Sequence, residues 1–334
     1  MSVETSVAAP TTAVAAVDVL ARARSTVASP LEATLTHLSP ELAASVTEQL
    51  TGGGKCVRAA LALVSAAACG ADECVALDGA VAIELVHNFS LVHDDIIDRD
   101  EERRHRPTIW STFGVSHAII AGDALATVAF QVLLAVPTPE RARAAALLAD
   151  ATQSMISGQA LDMAFETRRR VTLTECMEMV VGKTAALLKC ATQLGAVLSR
   201  ADEPAVESLG AFGHHLGIAF QAIDDVLGIW GDPAVTGKPV GSDLRRHKMT
   251  LPVCIAQAMG VELDDRWQAG EVASDDDVAT VSGALEDCGA RGATLDLGQR
   301  HLSEALAALD RVPLAPEPRD ELAAIADFVV ARDR

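Results

Sequence analysis

Residues 91–108 read LVHDDIIDRDEERRHRPT, six acids and four arginines within one short stretch. On an ideal helix Asp94 and Asp98 lie about 40° apart, with Asp95 about 100° from Asp94, so three carboxylates crowd one helix end. Like charges that close push one another's pKa values upward, and a divalent cation removes the conflict. A solvated acidic helix end is the plain alternative. Against it, the apolar run GAVAIELVHNFSLVH carries these acids into an element with the composition of a core. A calcium loop is excluded, because Arg103 stands where its sharp turn needs glycine and Arg104 lies beside it.

Residues 220–252, FQAIDDVLGIWGDPAVTGKPVGSDLRRHKMTLP, repeat the theme with Asp224 and Asp225 on an apolar run that gives way to a glycine-rich loop. Two such pairs facing each other across a bundle would hold several Mg2+ ions, since Mg2+ takes one or two carboxylates and completes its shell with water and phosphate oxygens. The reading here is three ions, with Mn2+ able to substitute. GDPAVTGK is not a nucleotide-binding P-loop: Gly231 to Gly237 is one residue too long, Pro239 replaces the required Ser or Thr, and no strand is expected before it. Lys55 and Arg58 follow the turn GGGK, Arg103 and Arg104 follow the first acids, and Lys183, Lys238 and Lys248 lie near the ends of later segments. With two metal sites these cations make a receptor for two diphosphates, one held through Mg2+ and one by direct charge-assisted hydrogen bonds. His87 precedes Asp94 by seven residues and so lies within about 20° of the same helix face.

Helices must position these groups. Alanine and leucine dominate the apolar stretches, aromatics are 3% of the chain and Tyr is absent, so an all-α fold is expected. Long helices are expected over residues 77–98, 117–136, 141–165, 173–198 and 205–230. Segments this apolar all round must be buried on several sides, which implies a large helical bundle. A single domain over residues 18–334 is the economical division, after a flexible tail of residues 1–17 that could dock a partner. The net charge of −19 argues against nucleic acid or an anionic membrane surface as a partner. No apolar run is expected to reach the roughly 20 residues that span a bilayer. Seven scattered cysteines without a Cys-x-x-Cys pair point to reduced thiols and a cytoplasmic location. The acidic segment 260–277 reads as a surface loop or helix join.

GGGKCVR, ELVHNFSLVHDDIID, RRHRPT, GDAL, GQALD, GKTAAL, FQAIDD and GKPVGSDLRRHKMTLP occur in that order. Over roughly residues 30–255 the chain resembles the trans-type isoprenyl diphosphate synthases, or polyprenyl synthetases, in particular the geranylgeranyl diphosphate synthases. The resemblance implies a helical bundle around a central apolar cavity, usually homodimeric, that condenses an allylic diphosphate with isopentenyl diphosphate. It implies that Asp94, Asp95 and Asp98 form the first Mg2+ motif, and Asp224 and Asp225 the second. By the same resemblance Lys55, Arg58, His87 and Arg104 match isopentenyl diphosphate contacts. Arg103, Lys183, Thr184, Gln221 and Lys238 match allylic diphosphate contacts, with Lys248 a further candidate.

Departures from the family pattern are Cys56 where arginine is common, Ala59 where proline is common, His105 after the two arginines where glycine is usual, and Gly228 where many members carry a third aspartate. Asp232 is a candidate to compensate for the last through water. Phe89 lies about 7.5 Å down the helix axis from Asp94. An aromatic there with the small Ser90 beside it implies, by resemblance, a C20 product, with C15 and C25 as alternatives; ideal helix angles turn Phe89 away from the acid face. A class I terpene cyclase on the same fold and a non-catalytic subunit or scaffold of a heteromeric synthase are the competing readings. Cyclases commonly line their pocket with aromatic rings, which this composition supplies poorly, and a non-catalytic subunit could dispense with acids that are present here.

Overall fold

Helices form where the apolar pattern places them. The computed structural model describes residues 9–51, 54–232, 240–263 and 274–330. Its helices are α1 (Ala9–Thr34), α2 (Pro40–Thr51), α3 (Val57–Ala68), α4 (Leu77–Ile97), α5 (Ile109–Phe113), α6 (Val115–Leu134), α7 (Pro139–Phe165), α8 (Leu173–Val180), α9 (Ala186–Leu198), α10 (Glu203–Trp230), α11 (Ser242–Arg245), α12 (Leu251–Ala258), α13 (Asp275–Asp287), α14 (Ala290–Leu309) and α15 (Pro316–Val330). The all-α expectation holds. The exception is a two-stranded hairpin of β1 (Glu102–Arg103) and β2 (Arg106–Pro107). α1 starts at Ala9, inside the segment expected as a tail. Residues 264–273 of the acidic segment lie outside the described residues.

The chain groups into two compact units, a division that the single domain read from the sequence does not make. The first comprises residues 1–150, 189–210 and 309–328, the second residues 151–188, 211–308 and 329–334. In the first, α4 is the central element, and its residues Ala80 to Val86 are almost wholly buried. Small side chains make this possible: α3 presents Ala59, Ala60, Ala62 and Ala66 to the core, and α6 presents Ala118, Ala121 and Ala129. The stretch Glu73–Ile97 and the helix Val115–Leu134 are long and apolar enough to cross a bilayer by length and composition, contrary to the sequence expectation. Most of the former is buried inside protein, as a core helix must be.

The second unit has its own core of Phe165, Cys176, Val180, Ile218, Ala222, Leu244 and Leu251 and their neighbours. α8 opens with a capping box, Thr172 accepting from the Glu175 N–H while the Glu175 carboxylate accepts from Thr172. α10 and α14 meet at a histidine pair, His215 Nδ1 lying 2.9 Å from His301 Nδ1 with His214 stacked edge-on against His215. Burial, then His215, His214 and Arg300, lower the His301 pKa to about 4 against a weaker pull from Glu304. A depressed histidine pKa favours the neutral folded form, so its contribution is complete above pH 6.5 and is lost as pH falls from 6.5 towards 4. His301 is partly exposed, so the loss is about 1–2 kcal/mol after solvent screening. Urea unfolding at pH 7.5 and pH 5 should show this drop in the natural chain, and His301→Phe should flatten it.

Candidate active site

In the first unit, the end of α4 places the three acids in different surroundings. Asp95 is 1% exposed, and Arg103 Nε donates to its Oδ1 at 2.6 Å. Burial pushes its carboxyl up to about 6, with the Arg103 guanidinium pulling against that and Asp100 and Asp94 adding to it. Asp94 and Asp98 are half-buried on the neighbouring face, one turn apart, with the Asp98 N–H donating to the Asp94 carbonyl at 2.8 Å. The loop that follows is tied to α5: Thr108 Oγ1 and Trp110 Nε1 both donate to the Asp100 carbonyl at 2.8 Å.

Arg104 and His105 form the tip of the hairpin with φ of 54° and 61°. A two-residue hairpin loop of this hand needs positive φ at both positions, which favours Asn and Gly. Here an arginine and a histidine bear that strain, and the usual glycine is replaced by His105. The tip delivers Arg104 against Gly54, where a Cβ would lie 3.2 Å from its Nη1. Lys55 next to it sits 5.1 Å over the Phe328 ring. Arg58 is on the first turn of α3, whose Ala59 N–H donates to the buried Glu84 of α4 at 3.0 Å. Burial, then Arg58, Arg104 and Arg103, hold the His87 pKa well below the ordinary imidazole value. Arg58 and Arg104 thus act together on His87, Lys55 follows the Gly54 that Arg104 packs against, and Glu84 beside them was not singled out from the sequence. A cavity of about 430 Å3 in the same unit is lined by Ser45, Gln49, Arg103, Arg104, Arg106 and Thr108 among others, with no acid in its wall.

The second unit assembles the remaining residues around an irregular turn. Residues 173–198, read as one helix, are broken by a π-helical turn over Val181–Ala185 that carries Lys183 and Thr184. Such turns occur frequently at functional sites. Two glycines let neighbouring helices press on it. A Cβ on Gly158 of α7 would collide with the Lys183 backbone nitrogen, and one on Gly217 of α10 would lie 2.8 Å from the Ala185 Cβ. One turn after Gly158, Asp162 accepts from Lys183 Nζ at 2.6 Å and from Lys248 Nζ at 3.2 Å, and Lys248 also reaches Glu166 at 2.7 Å. One turn after Gly217, Gln221 accepts from Thr184 Oγ1 and donates through Nε2 to Asp225 Oδ1 at 2.7 Å. The Leu251 N–H at the start of α12 donates to Asp225 Oδ2 at 2.8 Å. Burial raises the Asp225 carboxyl to about 7 in spite of these bonds, with Asp243 and Asp224 adding to the rise. Asp224 beside it is half-buried.

The sequence itself decides the family. A family model described as polyprenyl synthetase matches residues 39–283. The chain belongs to the polyprenyl synthetase family. A (2E,6E)-farnesyl diphosphate synthase of Mycobacterium bovis is 45% identical over 286 residues, 84% of this chain and 80% of the relative. A geranylgeranyl diphosphate synthase of Mycobacterium tuberculosis is 40% identical over 286 residues with the same shares, 84% and 80%. Among solved structures, a polyprenyl synthetase from Streptomyces coelicolor A3(2) shares 44% identity and a TM-score of 0.88, covering 94% of this chain and 99% of that one. This polyprenyl synthetase is therefore an enzyme of the trans-prenyltransferase family with the all-α isoprenoid synthase fold.

Within this synthetase, Lys238 lies outside the described residues. Of Thr184 and Gln221, expected at an allylic diphosphate, Thr184 donates to Gln221 and Gln221 donates to Asp225, which orients that acid. Asp162 and Glu166 were not singled out from the sequence, although GQALD contains the former. Their role is set by tertiary contact with lysines of two later elements, for which no local pattern exists.

Proposed function

We propose that this synthetase joins an allylic diphosphate head-to-tail with isopentenyl diphosphate, and that its product is the C20 geranylgeranyl diphosphate. The observation that carries the reading is the convergence in the first unit of Arg58, Arg104 and Arg103 on His87, with Lys55 next to the Gly54 that Arg104 packs against and Arg103 bound to the acid-bearing end of α4. Such a cluster suits a diphosphate: guanidinium forks and an ammonium neutralise it while a neutral imidazole adds a hydrogen bond.

The acids suit Mg2+. Burial raises both Asp95 and Asp225, the mark of carboxylates in a desolvated place that gain from a cation. Among the described residues no group of three or more His, Cys, Asp or Glu converges as a closed cage, which suits an ion that keeps water and phosphate oxygens in its shell. Mg2+ bound at Asp94, Asp95 and Asp98 in the first unit and at Asp224 and Asp225 in the second, three ions in this reading with Mn2+ as a substitute, would supply charge neutralisation of the leaving diphosphate. Asp95 and Asp225 are further fixed by Arg103 and by Gln221 and the Leu251 N–H. Lys183 and Lys248, oriented by Asp162, contribute fixed positive charge, and Lys238 is assigned with them from the family pattern. As the allylic C–O bond breaks, the isopentenyl double bond attacks the cation and a proton leaves to the departing diphosphate.

Phe89 is 7% exposed and packs edge-on against His93 with ring centroids 4.9 Å apart, while Ser90 Oγ donates to the His87 carbonyl at 2.8 Å. His93 Nε2 in turn lies 3.1 Å from the Ile119 carbonyl of α6. This pair supports a floor on the α6 side of α4 that stops elongation at C20. Relatives named for C15 and for C20 products lie at comparable identity, so product analysis is the test. Incubation with dimethylallyl, geranyl or farnesyl diphosphate, isopentenyl diphosphate and Mg2+ should yield a C20 product by chromatography. Phe89→Ala should shift it to longer chains, and an unchanged length would exclude Phe89 as the floor.

Phe113, Val115, Ile119, Ile120 and Leu134 of α5 and α6 are exposed on a chain of net charge −19. That exposed apolar cluster supports a homodimer, which light scattering would measure. All seven cysteines are free thiols, which supports a cytoplasmic location.

A further inference from the structure

We infer that Glu84 is a positioning residue for the subsite of Lys55 and Arg58: from α4 it caps the start of α3 and so sets where those two cations stand. α3 begins without a cap of its own. Ser, Thr, Asp or Asn at the N-cap ordinarily accepts from an N–H of the first turn. Here the N-cap is Cys56, at a φ of 48° and without a side-chain cap bond, and its thiol turns back to the Gly54 carbonyl at 3.8 Å. The helical ladder opens with the Ala60 N–H donating to the Cys56 carbonyl at 2.9 Å, so the N–H groups of Val57, Arg58 and Ala59 precede it.

The missing acceptor comes from the neighbouring helix. The Ala59 N–H, at the third helical position, donates at 3.0 Å to Oε1 of Glu84, 25 residues further along the chain. Ala59 is fully buried and Glu84 is 5% exposed, so water does not stand in for this bond. A carboxylate at a helix N-terminus also suits the helix dipole. The departure of this chain from the family pattern makes the bond possible: proline, common at position 59, has no N–H to give.

What the bond fixes is cationic. Lys55 immediately precedes the N-cap and Arg58 is the second residue of the helix, so any shift of the first turn moves both. Burial pushes the Glu84 carboxyl up, against the pull of Arg58, the Ala59 N–H and Arg104. The same two arginines face His87, three residues after Glu84 on α4. A negative charge beside a receptor for a diphosphate repels the anion. The contribution of Glu84 therefore lies in the turn it holds, through its oxygen on the Ala59 N–H, rather than in its charge.

The assignment rests on the reading of Lys55 and Arg58 as isopentenyl diphosphate contacts. Initial rates at varied isopentenyl diphosphate and at varied allylic diphosphate, with thermal midpoints alongside, compare the natural chain with Glu84→Gln, Glu84→Leu and Glu84→Leu/Ala59→Pro. Glutamine keeps an oxygen for the Ala59 N–H and drops the charge, whereas leucine removes both. Proline then removes the orphaned N–H and fixes φ in the first turn, where it is tolerated. Glu84→Leu should raise the KM for isopentenyl diphosphate at least about tenfold, as a displaced first turn does, and leave the KM for the allylic diphosphate within about twofold. Glu84→Gln and the double variant should both stay within about threefold of the natural chain. A residue that served stability alone would lower the midpoint without separating the two KM values. Glu84→Leu within about twofold of the natural chain, an equal rise in both KM values, Glu84→Gln as impaired as Glu84→Leu, or a folded double variant no better than Glu84→Leu overturns the assignment alone. Should Glu84→Leu fail to fold, Glu84→Gln and the double variant decide: near-natural KM values in both bear the assignment out, and a rise of about tenfold in either overturns it. A natural chain that does not extend an allylic diphosphate with isopentenyl diphosphate overturns the function proposed above and this assignment with it.

Discussion

Asp94→Ala/Asp224→Ala is expected to form prenyl product at least about ten-thousandfold more slowly than the natural chain. Each substitution removes charge stabilisation that grows as the leaving diphosphate develops, and one such lost interaction typically costs about a hundred- to a thousandfold in rate. The two losses fall on different elements, α4 and α10, so they should add rather than share one effect. Isopentenyl diphosphate incorporation at saturating Mg2+ measures the rate. An undiminished rate would remove both acids from the chemistry.

The neighbouring acids should behave differently. Asp95 accepts from the part-buried Arg103, and Asp225 accepts from the part-buried Gln221 and the buried Leu251 N–H. Removing Asp225 leaves the buried Leu251 N–H without its partner, which costs about 1–3 kcal/mol, and removing Asp95 costs less because water reaches the part-buried Arg103. Each adjacent pair therefore contains one half-buried acid and one nearly fully buried acid bonded to its surroundings.

The helical pattern, both acidic motifs and most of the cationic set were legible in the sequence because each is local: a 3.6-residue period, acids at i, i+1 and i+4, lysines after glycine turns. What stayed hidden depends on contacts between distant residues. Residues 173–198 keep an unbroken helical composition through GKTAA, so the π turn leaves no trace in the pattern, although it sets where Lys183 and Thr184 point. Glu84 reads as an isolated acid in an apolar run, and only its bond to the Ala59 N–H shows why it is there. The hairpin at Glu102–Pro107 has strands of two residues, too short for any alternation to register.

Gly158→Ala should damage both stability and turnover, which separates a packing requirement from a mere preference for glycine. The new methyl collides with the Lys183 backbone nitrogen and would also lie 2.8 Å from the Lys183 Cα. α7 and the π turn must then move apart, an overpacking cost of about 3 kcal/mol. The same movement carries Lys183 away from Asp162, and a displacement of about 1 Å in a charge-bearing group lowers turnover on the order of a hundredfold. Gly283 of α13 supplies the control, since nothing lies within 4 Å of a Cβ there. Gly283→Ala should stabilise its helix by about 0.5–1 kcal/mol and leave turnover alone. Urea unfolding and initial rates on the two variants decide the matter: equal behaviour of Gly158→Ala and Gly283→Ala would mean that the close approach of α7 to the π turn does not set the position of Lys183.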